Sequence, residues 1–328
     1  MLQPETTSGR PRPDLFELQQ EYDWASMEQM FIADAACPPI PTPTRNGTYY
    51  IWNRETLRQV KSDTRSPEGA FNRVQHLFGN GTFDCVSRGL EEPIDRETES
   101  EFATLFSADE EARNALRHHI LLAREKRVAD LYADAGFTET GAATAWSSSG
   151  SAVPLTDIKT GIDSLTDSAG VAAQQITMII PLADYNELIT TDQVNDKVKY
   201  TYARTDGIQP AYLPADTLAG MLGIRRVVVG DASYNAAGQG LTASISRFWT
   251  AGTIYLAVLA EPDNPSRRAM SAFRRYYWQQ FTGQGGAPYF EEYPEYNTDS
   301  RIIRARLNDD PVQTAETDLM VYALSSDA

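Results

Sequence analysis

The chain has 328 residues, 41% of them apolar, which is enough to bury a sizeable core and more than one compact domain usually holds, so two or more lobes are expected. Its formal net charge of -16 favours solubility and argues against a dedicated nucleic-acid-binding module, whose footprint is basic. No run approaches about eighteen consecutive apolar residues, and the start MLQPETTSGRPRPD carries neither an apolar stretch nor a cleavage site, so a soluble intracellular protein with no membrane contact is expected.

Residues 1–46 read as an extended arm, because Pro4, Pro11, Pro13, Pro38, Pro39, Pro41 and Pro43 remove donors and fix backbone angles at both ends. Between them Leu15, Leu18 and Tyr22, with Ala25 and Met30, set an apolar stripe that predicts a helix over 14–33. That face must dock on something, in this chain or in a neighbour. Residues 47–94 open on the strand-like run Thr48, Tyr49, Tyr50, Ile51, Trp52 and return through Thr82, Phe83, Asp84, Cys85, Val86. The polar middle holds Arg58, Lys61, Arg65 and Arg73. The pattern fits a long two-stranded excursion or, equally, an insertion loop on an ordinary domain. An isolated hairpin is marginal in water and needs a surface outside its own sheet.

Ser107 with Glu110 three positions on forms a capping box. Ala112, Ala115, Leu116, His119, Ile120 and Ala123 then recur at helical spacing towards Leu131 and the terminating Gly136. Residues 137–153 are rich in Gly, Ala, Ser and Thr, include Trp146, and predict a connector between domains. A βα alternation follows: a helix from Pro154 closed by Gly170, a strand over 176–180, a helix from Pro181, a helix over 214–222 stopped by Gly223, and a strand over 224–229. Residues 230–240 read as a loop, and 244–249 and 253–259 as two strands joined by Gly252. After an aromatic stretch around Phe273, Tyr276, Tyr277, Trp278 and Phe281, residues 300–307 and 319–324 are expected to return as strands to the domain of the long helix.

Chemistry-bearing motifs are absent: there is no phosphate loop, dinucleotide glycine motif, nucleophile elbow or H-E-x-x-H. His118 and His119 are adjacent on a helix and point in different directions, so they cannot ligate one metal together. The acidic run Glu91, Glu92, Asp95, Glu97, Glu99, Glu101 lacks an oxygen-ligand loop and reads as a solvated face or as a partner for arginines of another subunit. Cys37 and Cys85 lack metal-ligand spacing and read as packing thiols. No cofactor and no catalytic residue is expected.

One resemblance emerges from several pieces in order. These are Trp146, the run Val153, Pro154, Leu155, Thr156, Asp157, Ile158, and then the stretch Thr177, Met178, Ile179, Ile180, Pro181, Leu182, Ala183, Asp184, Tyr185, Asn186, Glu187, Leu188. Residues 196–201 (DKVKYT) and 218–230 (LAGMLGIRRVVVG) follow, with Arg124, Glu125, Phe248 and Trp249 at matching places. The sequence resembles the major capsid proteins of tailed bacteriophages and related viruses with the Hong Kong 97-type fold. That resemblance implies an α+β chain with an N-terminal arm (1–46), an extended loop or E-loop (47–94), a peripheral domain with a spine helix (95–153), an axial α/β domain (154–245) and a return to the peripheral domain (246–328). It also implies a non-enzymatic subunit that assembles with itself into pentamers and hexamers of an icosahedral head. That head would enclose double-stranded DNA without sequence-specific binding, served by scaffolding, portal and cement proteins, and would be built in the host cytoplasm and located in the virion. Trp52, Arg58, Lys61, Arg65, Arg73, Tyr22 and Leu18 are the expected inter-subunit contacts. The alternatives are an encapsulin-like cellular compartment shell and, from another class, an intracellular α/β enzyme with an inserted hairpin.

Overall fold

The computed structural model describes residues 24–52, 58–65, 67, 69–76, 78–95, 97, 107–202, 213–238, 240–264, 266, 269–315 and 319–327. Most of the N-terminal arm, with Leu18 and Tyr22, and Glu99 and Glu101 of the acidic run therefore lie outside the described residues. The part of the arm that is described forms α1 (Trp24–Gln29) and the single turn α2 (Ala33–Ala36). Its apolar face is not the expected one. Ala25 and Met30 are exposed, while Phe31 and Ile32, just beyond α1, turn inward, because the helix stops at Gln29 and the face shifts with it.

The long helix α3 (Ala108–Asp134) starts as its capping residue predicts, with Ser107 Oγ accepting from the Glu110 N–H at 3.4 Å. Gly136 follows with a left-handed φ of 65°. At 27 residues it is about 40 Å long, and its two halves serve different cores. Ala112, Leu116 and Ile120 pack against Ile303, Ala305 and Leu307, whereas Val128, Ala129 and Tyr132 belong to the main core. The inward face departs from the expected stripe at two places: His119 and Ala123 are exposed, and His118 is buried instead.

Two five-stranded sheets organise the rest. The first is built on the 14-residue β13 (Ser300–Gln313). Along one edge of β13 runs β4 (Val86–Asp95), antiparallel. Because Ser300 and Asp309 each pair on both sides, β12 (Tyr289–Glu295) and β11 (Phe273–Trp278) share the opposite edge. β1 (Pro39–Thr42) adds to β11 in parallel. The aromatic stretch of the sequence is thus a buried strand, with Phe273, Tyr276 and Tyr277 all inside.

The second sheet runs in the order β5 (Glu139–Gly141), β14 (Val321–Ser325), β10 (Thr253–Val258), β6 (Ile176–Pro181) and β7 (Arg226–Gly230). β6 is buried at every position, as a continuous apolar run between two neighbours should be. Helices α5 (Leu182–Thr190), α6 (Asp192–Tyr202) and α7 (Ala215–Leu222) connect β6 to the parallel β7. Helix α4 (Pro154–Ala169) packs closely on this sheet, since a Cβ on Gly161 would lie 2.8 Å from both Leu256 and Tyr322.

Strand β14 lies in the second sheet, in register with β10, and shares its core with the second half of α3. Two expectations are corrected here. The segment around 245 does not pair with β10 across Gly252, but forms β9 (Ile245–Arg247) against β8 (Ser233–Asn235) in a separate ribbon. The 137–153 stretch contributes strand β5 to a sheet, and Trp146 is buried with its indole N–H donating to Asp157 at 3.3 Å.

Candidate assembly surfaces

The expected excursion exists as the ribbon β2 (Asn46–Trp52) and β3 (Phe78–Asp84). Its register sets aromatic residues opposite glycines, Gly47 facing Phe83 and Tyr49 facing Gly81, and each ring covers the glycine across from it. A Cβ on Gly81 would lie 2.3 Å from the Tyr49 ring. Both aromatics then meet Tyr276 of β11, Phe83 stacked at 4.4 Å and Tyr49 at 5.6 Å between ring centroids. Tyr49 also donates its hydroxyl to the Gln313 carbonyl at 3.0 Å. The root of the ribbon is therefore fixed by packing and a hydrogen bond, which a two-stranded ribbon needs.

Further out, burial stops. Val60 is 100% exposed and Phe71 74% exposed, and Tyr50 and Phe78 are exposed on the strands themselves. Trp52 lies at the end of β2, with its backbone paired to Phe78. Arg58 donates to the carbonyl oxygens of Asp167 and, at 3.0 Å, Ser168, at the C-terminal end of α4 where unpaired carbonyls accumulate. Lys61 donates to Gln59. Arg65 donates to the Gly69 carbonyl at 2.6 Å and lies over the Phe71 ring. Arg73 is exposed. These residues occupy one excursion but converge on no common pocket.

A second locus joins Arg124, Glu125 and Trp249, which the resemblance had singled out, to partners that the sequence did not indicate. The turn α2 is gripped from several sides. Glu125 accepts from the Ala33 N–H at 2.8 Å with one oxygen and from the Trp249 indole at 2.7 Å with the other. Tyr132 and Arg226 donate to the carbonyls of Ala36 and Ala35 at 2.9 and 3.0 Å. Asp34 receives Arg124 at 2.9 Å and Arg275 at 2.7 Å. Arg275, fully buried, also faces Asp309, which is fully buried and accepts from Arg127 at 3.2 Å, with Arg88 at 3.6 Å. Burial pushes the Asp34 carboxyl up, but the two guanidiniums outweigh it and hold it below the usual carboxylate value. Burial raises Glu125, offset in part by its two N–H donors. Arg124 and Glu125 are adjacent in sequence, but Asp34 and Arg275 are 241 residues apart along the chain, so only the fold brings the cluster together.

The acidic run is partly neutralised within the chain. On the face of the first sheet Glu91 accepts from Arg304 at 2.6 Å and from the Tyr293 hydroxyl at 2.9 Å, which hold it below its ordinary value, the tyrosine first. Glu291 pairs with Arg306 at 3.2 Å, and Arg301 with Glu292 at 3.4 Å and with Asp109. His118 lies between Trp24 and Phe31, both at 5.5 Å, and so helps to dock α1. Cys37 and Cys85 are buried free thiols. Among the described residues no group of three or more His, Cys, Asp or Glu is placed to hold a metal ion, and no helix is long and apolar enough to cross a membrane.

Neither a protein-family profile nor a curated protein sequence matches the chain. Solved structures do. A phage-related protein from Bordetella bronchiseptica RB50 superposes with a TM-score of 0.64 at 19% identity, covering 92% of this chain and 96% of its own. The capsid of the cyanophage P-SCSP1u gives 0.55 at 9% identity, over 88% and 86% of the two chains. The capsid of Ralstonia phage GP4 gives 0.54 at 9% identity, over 89% and 87%. At such identities the likeness speaks for the backbone alone: a mixed α+β chain that matches the fold of phage capsid proteins.

Proposed function

We propose that the chain is a major capsid protein of the Hong Kong 97 type, a structural subunit that closes with copies of itself into pentamers and hexamers of an icosahedral head around double-stranded DNA. In this reading the β2–β3 ribbon is the E-loop, α3 the spine helix of a peripheral domain (95–153, completed by 246–328) and residues 154–245 the axial domain, with 1–46 as the arm. The observation that carries it is the ribbon itself: a root fixed by Tyr49, Phe83 and Tyr276, and an outer part that leaves Val60 and Phe71 in water. A monomer gains nothing from such an excursion, whereas a neighbouring subunit offers it a surface. Trp52, Arg58, Lys61, Arg65 and Arg73 on the ribbon, and Leu18 and Tyr22 on the arm, are the proposed contacts between subunits. Function then lies in several modest heterologous surfaces that are satisfied together when rings and shell close. The proposal includes no catalytic step and no cofactor, and it assigns the protein to the virion, with scaffolding, portal and cement proteins as the expected partners.

Size measurement of the purified protein tests it. Particles tens of nanometres across are expected on the shell reading. A chain that stays monomeric or dimeric across assembly conditions would sink it.

A further inference from the structure

Residues 231–238 and 240–249 form a finger whose base is tied to the long helix and which leaves Leu241 and Ile245 in water. At the base Asp231 pairs with Arg247 at 2.7 Å, Phe248 donates to the Ala232 carbonyl at 3.1 Å, and Tyr234 stacks on Phe248 at 4.5 Å. Trp249 seats against Gly230, where a Cβ would come within 2.6 Å of its ring, and donates to Glu125 of α3. Further up, the Asn235 side-chain oxygen accepts from both the Ala237 and the Ser244 N–H, at 3.0 and 2.9 Å, and so closes the two limbs on each other. Ala236 donates to the Ser244 carbonyl at 2.8 Å, and Leu241 to the Gly238 carbonyl at 3.1 Å. These bonds hold Leu241 at 72% and Ile245 at 68% exposure.

An ordinary surface loop is polar and loosely held. Here hydrogen bonds order a segment that buries neither of its aliphatic side chains, which is the arrangement in which the ordering cost of a contact is met before the contact forms. Charge indicates the partner. Residues 232–246 contain no Asp, Glu, Lys, Arg or His, in a chain of net charge -16. Two copies repel each other over most of their surfaces, and an uncharged protruding finger is a place where they can touch without bringing carboxylates together.

We infer that the finger formed by β8 and β9 is a docking knob, with Leu241 and Ile245 seating on a different surface of a second copy of this chain. The inference rests on the shell reading but goes beyond it, because that reading places its contacts on the ribbon and the arm.

The test uses the full chain and two readouts. Ala243→Cys supplies a reactive thiol at the exposed tip, while Cys37 and Cys85 are buried with their thiols pushed up by burial, Cys85 to about 11. Maleimide is expected to label residue 243 quickly in free subunits and at least about tenfold more slowly in assembled particles. Independently, Leu241→Ser with Ile245→Ser is expected to raise the concentration needed for assembly at least about tenfold while leaving the melting temperature of the free subunit unchanged. Equal labelling in particles and free subunits, or a double variant that assembles at the wild-type concentration, overturns the docking knob and leaves the shell reading intact. Absence of any self-association by the wild-type chain overturns both.

Discussion

Among single residues, Glu125 and His118 make the clearest demands. Glu125 takes the Ala33 and Trp249 N–H groups into the core, and removing it leaves two buried donors unpaired, at about 1–3 kcal/mol each. Glu125→Ala is therefore expected to lower unfolding stability by about 2–6 kcal/mol in a denaturant titration, and Trp249→Phe by less, since it leaves one carboxylate oxygen without its donor while the other keeps the Ala33 N–H. His118 carries a pH dependence. Burial lowers its pKa, helped by the neighbouring His119 and opposed by Glu28. The folded chain thus binds the proton less readily than the unfolded chain, so stability is full above the ordinary imidazole value of about 6.5 and falls as pH drops below it. His118→Phe keeps the packing against Trp24 and Phe31 and removes the proton. The melting temperature of wild type is expected to decline between about pH 7 and pH 5, and the variant's decline to be shallower; equal slopes would assign the acid sensitivity to other groups.

At the level of elements, the ribbon stands or falls with Tyr276. Phe83 and Tyr49 both stack on it, so Tyr276→Ala is expected to cost about 3–5 kcal/mol. It should also speed amide exchange across 46–52 and 78–84 well beyond any change in β6 and β10, whose core lacks this ring. The first strand of the ribbon was legible because Thr48 to Trp52 is a run of β-branched and aromatic residues; the return strand, expected over 82–86, lies instead at Phe78–Asp84, with Val86 in β4. Long periodic elements were legible too: α3 from its cap, and α4 and α7 from proline at the start and glycine at the end. What escaped was non-local. Residues 300–307 and 319–324 both read as strands, but nothing local says that the first spans one sheet and the second completes the other. The pairing of Ile245 with Asn235 instead of with β10 depends on a side chain, Asn235, bracing the finger. Helix α6 was hidden because its sequence is polar and, among its described side chains, Val194 and Val198 are the buried ones. Of the Asp34, Arg124, Arg275, Asp309 cluster only Arg124 was singled out, through the resemblance, since charged residues ordinarily signal surface.

Across the whole molecule, charge would oppose the proposed assembly. With 45 acidic and 29 basic side chains, a subunit approaching the proposed shell would meet a long-range repulsion summed over all its copies, whereas attractive ion pairs on exposed surfaces contribute at most about 1 kcal/mol each. The buried pairs of Asp34 and Asp309 lie within one chain and do not change on association. Salt shortens the Debye length from about 10 Å at 0.1 M to about 3 Å at 1 M, which weakens the summed repulsion more than it weakens short pairs in contact. The concentration at which particles first appear in sedimentation velocity is therefore expected to fall as sodium chloride is raised through that range. Apolar contacts at Val60, Phe71, Leu241 and Ile245 would be left to drive association. If ion pairs from Arg58, Arg65 and Arg73 to acidic neighbours dominated instead, the threshold would rise with salt, and replacing the three arginines with glutamine would abolish that rise. The sign of the salt dependence thus separates a shell held by apolar seating against its own charge from one held by exposed ion pairs.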